Sequence, residues 1–230
     1  MGARRIVGER AELGRELAAA FERASSEAIA ERGRFSIALT GGSTAKLHAM
    51  LAPSPSTVAR AHFWFGDERG VAPEHADSNY ALARRTLLDR IGAPPEQVHR
   101  MCGELESLEA AARAYEAELG EAPLDVVMLG VGPDGHVASL FPGHALLAER
   151  DRRVAWLTDS PKPPPRRVTL TLRALGEARE LWLFAIGAEK APIVRRAIVE
   201  GDRSLPVALA VEGARSVTWF LDPAAAAELA

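Results

Sequence analysis

The chain has 230 residues, is 47% hydrophobic and carries a formal net charge of −3 at pH 7. This size and apolar content fit one globular domain, and the acidic balance without a basic cluster excludes nucleic-acid binding as the expected function. The single cysteine, Cys102, excludes an internal disulfide and a thiolate metal cluster. Because Met1–Arg10 is polar and no apolar run reaches about 18 residues, we expect a soluble cytoplasmic protein with neither a signal peptide nor a membrane-spanning segment.

Apolar periodicity predicts helices and strands that alternate along the chain. In chain order, the first half is predicted to contain a helix over Arg10–Arg32, a strand over Phe35–Leu39, a helical stretch ending at Leu51, a strand over His62–Phe65, a helix over Tyr80–Arg90, a short strand over Val98–Cys102 and a helix over Leu105–Leu119. The second half is predicted to contain strands over Val126–Leu129, Val154–Leu157, Val168–Leu172 and Leu181–Ile186, a helix over Glu189–Val199, and strands over Val207–Val211 and Val217–Leu221. The alternation predicts an α/β fold, a mostly parallel sheet flanked by helices on both faces, in a single domain over residues 1–230.

The use of lysine in this chain is unusual. All but three of the 28 basic residues are arginine, and the exceptions are Lys46, Lys162 and Lys190. A compact ammonium and a planar guanidinium are not interchangeable at a tight site. Each of the three lysines is therefore a candidate functional residue.

The most informative segment follows the buried strand at Val126–Leu129. It is a Gly/Pro loop that presents Asp134 and His136 two residues apart. In open α/β sheets, ligands bind beyond the carboxyl ends of the strands. There a histidine can act as a base near neutral pH and a carboxylate can orient its ring, although a plain turn with His136 on the surface is the alternative. Asp-x-His alone supplies too few ligands for a metal, so no metal site is predicted.

Three further loops follow predicted strands. The glycines and hydroxyls of Thr40–Thr44 are typical of an anion cradle, although an N-capped turn is the alternative and neither the Walker A nor the dinucleotide fingerprint is present. Asp67-Glu68-Arg69 offers either an arginine fork for phosphate or carboxylate, or a solvated turn. Lys190 follows Gly187 at the start of a predicted helix. Because the ends of parallel strands meet at one edge, we expect the four loops to line one crevice.

Five groups of motifs occur in order along the chain. They are Thr40–Thr44 with Lys46, Phe65–Arg69 with Asp77–Tyr80, Gly130–Gly143, Pro161–Pro165 with Arg167–Thr171, and Gly187–Lys190. Together they closely resemble the 6-phosphogluconolactonase family, from about Phe35 to Val199, and all three lysines fall within them. The chain departs from the family pattern at Ala45, where the family usually has proline, and at Val137, where it usually has threonine. Neither departure removes a titratable group.

The resemblance implies a Rossmann-like fold similar to that of glucosamine-6-phosphate deaminase and ribose-5-phosphate isomerase. It also implies the second step of the oxidative pentose phosphate pathway, in which 6-phospho-D-glucono-1,5-lactone is hydrolysed to 6-phospho-D-gluconate without a required cofactor. We therefore expect a carboxylic ester hydrolase that uses no cofactor or metal and whose partner is a phosphosugar lactone. We expect it to bind neither nucleic acid nor a membrane, and to be a monomer or weak homodimer.

The resemblance and the chemistry of lactone hydrolysis also imply roles for particular residues. His136 would be the general base that deprotonates the water attacking C1, with Asp134 orienting it. Arg69 would bind the 6-phosphate or stabilise the oxyanion. The remaining expected substrate contacts are Lys190, Gly41, Gly42, Ser43 and Thr44 around the phosphate, Arg167 as a further anion contact, and Asp67 on sugar hydroxyls.

Two other functions fit parts of the pattern. Amino-sugar-phosphate isomerases or deaminases share the Asp-Gly-His loop, but they place a tyrosine where this chain has Arg69 and a glutamate five residues after the histidine, where this chain has Phe141. A non-enzymatic sugar-phosphate sensor of the transcriptional-regulator type would need a helix-turn-helix. The residues before Phe35 predict only one helix, which argues against that alternative.

Overall fold

The computed structural model describes residues 3–229. Its strands are β1 Arg4–Val7, β2 Phe35–Leu39, β3 Ala61–Phe65, β4 Asp67–Arg69, β5 Val126–Gly130, β6 Val154–Leu157, β7 Arg167–Leu170, β8 Glu180–Ala185 and β9 Val217–Leu221. Its α-helices are α1 Arg10–Arg32, α2 Pro55–Val58, α3 Asn79–Ala83, α4 Asp89–Ile91, α5 Leu108–Leu119, α6 Leu172–Glu177, α7 Ala191–Arg195 and α8 Pro206–Gly213. Segments of 3₁₀-helix occur at Gly42–Met50, Pro95–Gln97, Ala145–Ala148 and Ala188–Lys190, and π-helical turns occur at Arg84–Leu88 and Arg196–Glu200.

A parallel sheet organises the described part of the chain. Its strands lie in the order β1-β9-β8-β5-β2-β3, and every pairing in it is parallel. Successive residues of β5 alternate between the two hydrophobic cores: Val127 and Leu129 pack with α5, α6 and α8, whereas Val126 and Met128 pack with α1. A strand that is apolar on both faces is what a sheet covered by helices on each side requires. The predicted fold class is confirmed.

The described part of the chain also forms a second, three-stranded antiparallel sheet, which begins where the backbone changes direction at Gly66. The chain leaves the parallel sheet at Phe65 and immediately forms β4, which pairs with β7 in the order β4-β7-β6. The hydroxyl of Tyr115 on α5 holds this junction, because it accepts from the Phe65 amide at 2.8 Å and donates to the Phe65 carbonyl at 3.1 Å. The sequence predicts Asp67–Arg69 as a loop, and the structure gives it a strand's geometry.

Several predicted helix boundaries are confirmed by their caps. Helix α1 ends at Gly33, which adopts a left-handed conformation with φ 75°. Helix α3 begins after Ser78, whose side chain accepts from the amide of Ala81 at 3.1 Å. Helix α5 begins after Ser107, three residues later than predicted.

The structure corrects the prediction at other places as well. Val207–Val211 lies in helix α8, not in a strand, because Pro206 opens a helix whose apolar run is buried and so shows no period. Val98–Cys102 forms only an isolated bridge between Val98 and Phe63. The segment Arg4–Val7, for which no element is predicted, is strand β1 at the edge of the sheet, beside β9. No helix within residues 3–229 is long and apolar enough to cross a membrane.

Candidate active site

The carboxyl edge of the parallel sheet gathers three of the four loops that the sequence singled out. The amide of Gly130, at the end of β5, donates to Thr40 Oγ1 at 3.0 Å. This hydrogen bond joins the loop after β5 to the loop after β2. A side chain at Gly130 would press on Thr44 Oγ1, which explains the glycine there. Past β8, the amide of Gly187 donates to the carboxylate of Asp222, which follows β9. Three loops and the end of β9 therefore meet at one edge.

A cavity of about 360 Å³ opens at this edge. Its polar lining includes Ser43, Thr44 and Lys190, which the sequence analysis named as expected substrate contacts, and also Lys46 and Arg10, which were not among those contacts. Arg10 reaches the cavity because β1 ends here and α1 begins three residues later. The cavity therefore presents three cationic side chains and two hydroxyls, a set suited to an anion such as phosphate.

Carboxylates also line this cavity, from Glu9, Glu189 and Asp222. Asp222 is occupied by backbone donors, since its Oδ1 accepts from the amide of Ala225 at 2.8 Å and from that of Gly187 at 3.1 Å. The charge of the lining is therefore mixed. An anion bound here would have to lie against the cations and hydroxyls rather than fill the cavity uniformly.

His136 and Asp134 form a hydrogen-bonded pair after β5. The ring nitrogen Nδ1 of His136 contacts Asp134 Oδ1, and the backbone amide of His136 lies 3.4 Å from the same oxygen. The ring packs against Phe141, with the ring centroids 5.0 Å apart. Gly132 leaves room for this arrangement, since a side chain there would collide with the imidazole. The alternative of a surface turn is not what the structure shows, because the His136 side chain is only 20% exposed.

Lys162 is the third member of this cluster. Its Nζ lies 3.3 Å from Asp134 Oδ1, 3.2 Å from Asp134 Oδ2 and 3.2 Å from His136 Nδ1. Partial burial acts to raise the pKa of Asp134, but the hydrogen bonds and charges of His136 and Lys162 outweigh it and hold that pKa well below its ordinary value. Burial lowers the pKa of Lys190, and the nearby charge of Lys162 adds to the effect.

Asp67, at the start of β4, binds protein groups. Its carboxylate accepts from Ser139 Oγ at 2.6 Å and from Asn79 Nδ2 at 2.9 Å, and it lies 3.6 Å from Arg167 Nη1. Asp67 is only 7% exposed. Its expected contact with sugar hydroxyls would compete with these partners.

Arg167 is likewise turned toward the protein. It is 4% exposed, and its guanidinium donates to the carbonyls of Lys162, Pro163 and Pro164, each at 3.0 Å. Burial lowers the pKa of Arg167, against the opposing charge of Asp67. The expected contact between Arg167 and the substrate anion would therefore compete with these protein partners.

Glu68 fixes the turn that precedes α3. Its Oε1 accepts from the amides of Arg69 and Asn79, each at 2.7 Å, and its Oε2 accepts from the amide of Tyr80 at 2.8 Å and from Ser78 Oγ at 3.0 Å. The residue is 3% exposed, and burial raises its pKa against the effect of these donors. The middle residue of the predicted charged triplet is therefore a buried anchor for the loop.

Arg69 stands beside this anchor. Its Nη1 donates to the carbonyl of Asp77 at 2.7 Å, and Nη2 makes no hydrogen bond within the described part of the chain. The described lining of the 360 Å³ cavity includes neither Arg69 nor His136. In the loop after β2, Gly41 packs closely against the side chain of Asn79, so any side chain at position 41 would collide with Asn79. The next residue, Gly42, has φ 62° and an open surface.

Some site residues were outside the predicted set. Lys162 is one, although the scarcity of lysine in the sequence had marked it. Asn79 and Ser139 lie within the family motifs Asp77–Tyr80 and Gly130–Gly143 but were given no role there, and Arg10 carried no signal. Each becomes part of the site only through a long-range contact. Among residues 3–229, no group of three or more histidine, cysteine, aspartate or glutamate side chains has the geometry to hold a metal ion.

Comparison with known proteins gives consistent matches over nearly the whole chain. The family profile described as glucosamine-6-phosphate isomerases/6-phosphogluconolactonase matches residues 8–219. The 6-phosphogluconolactonase of Homo sapiens is 43% identical over 230 residues, which cover 94% of this chain and 89% of the human protein. The 6-phosphogluconolactonase of Mycobacterium tuberculosis is 43% identical over 218 residues, which cover 88% of each chain.

Solved structures agree with these matches. The structure of 6-phosphogluconolactonase from Trypanosoma cruzi superposes with a TM-score of 0.87 at 30% identity, covering 100% of this chain and 98% of that one. A monomeric glucosamine-6-phosphate deaminase superposes with a TM-score of 0.78 at 20% identity, covering 98% of this chain and 99% of that one. The second match bears on the fold alone.

Proposed function

The chain belongs to the family of glucosamine-6-phosphate isomerases and 6-phosphogluconolactonases, and from this membership we propose that it hydrolyses 6-phospho-D-glucono-1,5-lactone to 6-phospho-D-gluconate. The family resemblance predicted from the motifs is confirmed. The observation that carries the choice of reaction is the whole-length match to relatives that are 6-phosphogluconolactonases, joined to a histidine–carboxylate pair and a cavity with three cations at one sheet edge. This is the second step of the oxidative pentose phosphate pathway.

In the proposed mechanism, His136 activates the attacking water. Because Nδ1 is committed to Asp134, the other ring nitrogen, Nε2, is the one that accepts the proton of a water directed at C1. The ionised Asp134 then stabilises the imidazolium that forms. The imidazolium returns the proton to the ring oxygen as the C1–O bond breaks, which opens the lactone and leaves a carboxylic acid that ionises at neutral pH.

The cavity at the sheet edge is the proposed phosphate site. Lys190, with Ser43 and Thr44, would hold the 6-phosphate, and the open backbone at Gly42 lets the phosphate approach the chain. Gly41 serves this loop indirectly, by making room for Asn79. We propose that Arg69 directs its unused Nη2 toward the oxyanion that develops at C1, because Arg69 is not part of the cavity lining that supplies the phosphate contacts.

Phe141 favours this reaction over amino-sugar deamination. Deaminases of this family place a glutamate there, and in this chain a buried phenylalanine packs against the His136 ring. A phenyl ring cannot relay the proton that isomerisation requires. The proposed state as a cytoplasmic monomer or weak homodimer stays a prediction.

The test is formation of 6-phosphogluconate from freshly generated lactone. We expect the rate to exceed the spontaneous hydrolysis of the lactone in a matched blank without protein. Glucosamine 6-phosphate serves as the control substrate and should release no ammonia. Ammonia release without lactone hydrolysis would overturn the proposal.

A further inference from the structure

The proline-rich segment Pro161–Pro165, between β6 and β7, carries Lys162 to the His136–Asp134 pair. We propose that Lys162 is a positioning residue, which holds the Asp134 carboxylate against the imidazole and keeps His136 in the form that accepts a proton from water. The kinetic part of this inference rests on the proposed function. The physical part concerns only the coupling of three side chains, and it is measurable without substrate.

The contacts of Lys162 define which nitrogen of His136 carries the proton. An ammonium group has no lone pair, so Lys162 can only donate. If Lys162 donated to Nδ1, that nitrogen would lack a proton and would turn its lone pair toward the carboxylate oxygen beside it, a repulsive contact. The arrangement without repulsion places the Nδ1 proton on the hydrogen bond to Asp134 and directs Lys162 to both carboxylate oxygens. Nε2 then carries the lone pair.

The charge of Lys162 also opposes protonation of the ring. Asp134 alone would favour the imidazolium, because a carboxylate in contact with the ring stabilises its charged form. Lys162 lies 3.2 Å from Nδ1, so it offsets that attraction. Lys190 is a further charged group near the cluster: its ammonium is affected by the charges of Lys162 and Asp134, and Glu189 partly compensates it. Without Lys162, the negative charge of Asp134 beside the His136 ring is no longer offset by the neighbouring ammonium.

The backbone of Lys162 is held in place from two sides. Ser160 Oγ donates to the Lys162 carbonyl at 2.8 Å and accepts from its amide at 3.2 Å. The buried Arg167 donates to three successive carbonyls that begin at Lys162, and Asp67 lies 3.6 Å from that guanidinium. Asp67 and Arg167, expected from the sequence to contact substrate, are thus the support that delivers the ammonium to Asp134.

The experiment compares Lys162→Met with Lys162→Arg, which keeps the charge, and with Arg113→Met, which removes a cation from the exposed face of α5. The pH titration of the His136 ring is followed by NMR in the substrate-free protein, with His136→Asn to assign its signal. We expect Lys162→Met to move the titration midpoint of His136 upward by about one pH unit, and Lys162→Arg to move it less. Arg113→Met should leave it in place.

The same variants are then assayed across pH. In Lys162→Met, the acid limb of the pH profile of kcat/KM should shift to higher pH, together with the NMR midpoint. An unmoved midpoint with a raised KM would overturn the inference and make Lys162 a substrate contact. If the wild-type chain does not hydrolyse the lactone but the midpoint still moves, the proposed function fails and the coupling stands. If the wild type is active and the midpoint does not move, the coupling fails and the proposed function stands.

Discussion

Nδ1 of His136 contacts Asp134, which leaves Nε2 as the ring nitrogen that acts as the base in the proposed mechanism. His136→Ala should therefore lower kcat by about 10²–10⁴-fold, the usual contribution of a positioned base, while KM changes little. Steady-state kinetics with the spontaneous rate subtracted measures both constants. His62→Ala, which removes a partly buried histidine near the start of β3, is the matched control and should keep near-normal turnover. Normal turnover in His136→Ala would show that another group is the base.

Lys190 should lose its charge at a lower pH than an ordinary lysine. Burial lowers its pKa, so the ammonium deprotonates as pH rises through a value below 10.5, and the proposed phosphate site then loses this cation. We expect the affinity for 6-phosphogluconate, measured by calorimetry, to fall with rising pH already below pH 10.5. Lys190→Arg keeps its charge in this range and should show a smaller loss. An identical alkaline loss in both proteins would remove Lys190 from the phosphate site.

The residues of the site differ in how visible they are in the sequence. The positions of His136, Asp134 and Lys190 after strands could be predicted, because each follows a strand whose end is recognisable from its apolar run, whereas their roles stay predictions. The roles of Asp67 and Arg167 could not, since a charged residue at a strand end has the same pattern whether it faces a ligand or a buried partner. Only the contacts with Ser139 and the Pro161–Pro165 segment separate these two cases.

At the scale of elements, Glu68 joins β4 to α3. All four groups around its carboxylate are donors, so the amide of Glu68→Gln would place its own N–H groups against donors. Such a buried mismatch costs about 1–3 kcal/mol. We expect the free energy of unfolding in urea to fall by about that amount. Glu109→Gln, on the exposed face of α5, should change it by less than about 0.5 kcal/mol. Equal stability in the two variants would contradict the anchoring role of Glu68.

The elements that the sequence predicts well are those with a clear period or a clear cap. Helix α1 has a long apolar stripe and Gly33, and β5 has a short apolar run between turns. Helix α8 is largely buried and shows no period, so its apolar run favours a strand when read alone. Strand β1 has charged residues on an edge and is defined by its pairing with β9, a contact that local sequence does not encode.

At the scale of the whole molecule, the distribution of charge matters more than its sum. The net charge is −3, yet Arg10, Lys46 and Lys190 all line the cavity at the sheet edge. The sequence marks Lys46 and Lys190 as rare lysines, but it does not show that Arg10, at the start of α1, lies beside them. The parallel arrangement of β1, β2 and β8 brings them to one edge. The fold thus gathers cations from three distant segments of an acidic chain into one cavity.

These gathered cations predict a salt-dependent KM. Cations in a concave site attract a phosphorylated substrate, and salt weakens that attraction as the Debye length shrinks from about 30 Å at 0.01 M to about 10 Å at 0.1 M. We expect KM for the lactone to rise severalfold between these ionic strengths, while kcat, which depends on the His136 cluster in the proposed mechanism, stays nearly constant. The double variant Arg10→Gln, Lys46→Gln should raise KM at low salt and flatten its dependence on salt. Arg113→Met, which removes a cation from the exposed face of α5, should keep the wild-type slope. A KM that does not respond to salt in the wild type would mean that the cavity cations do not act on the substrate's charge.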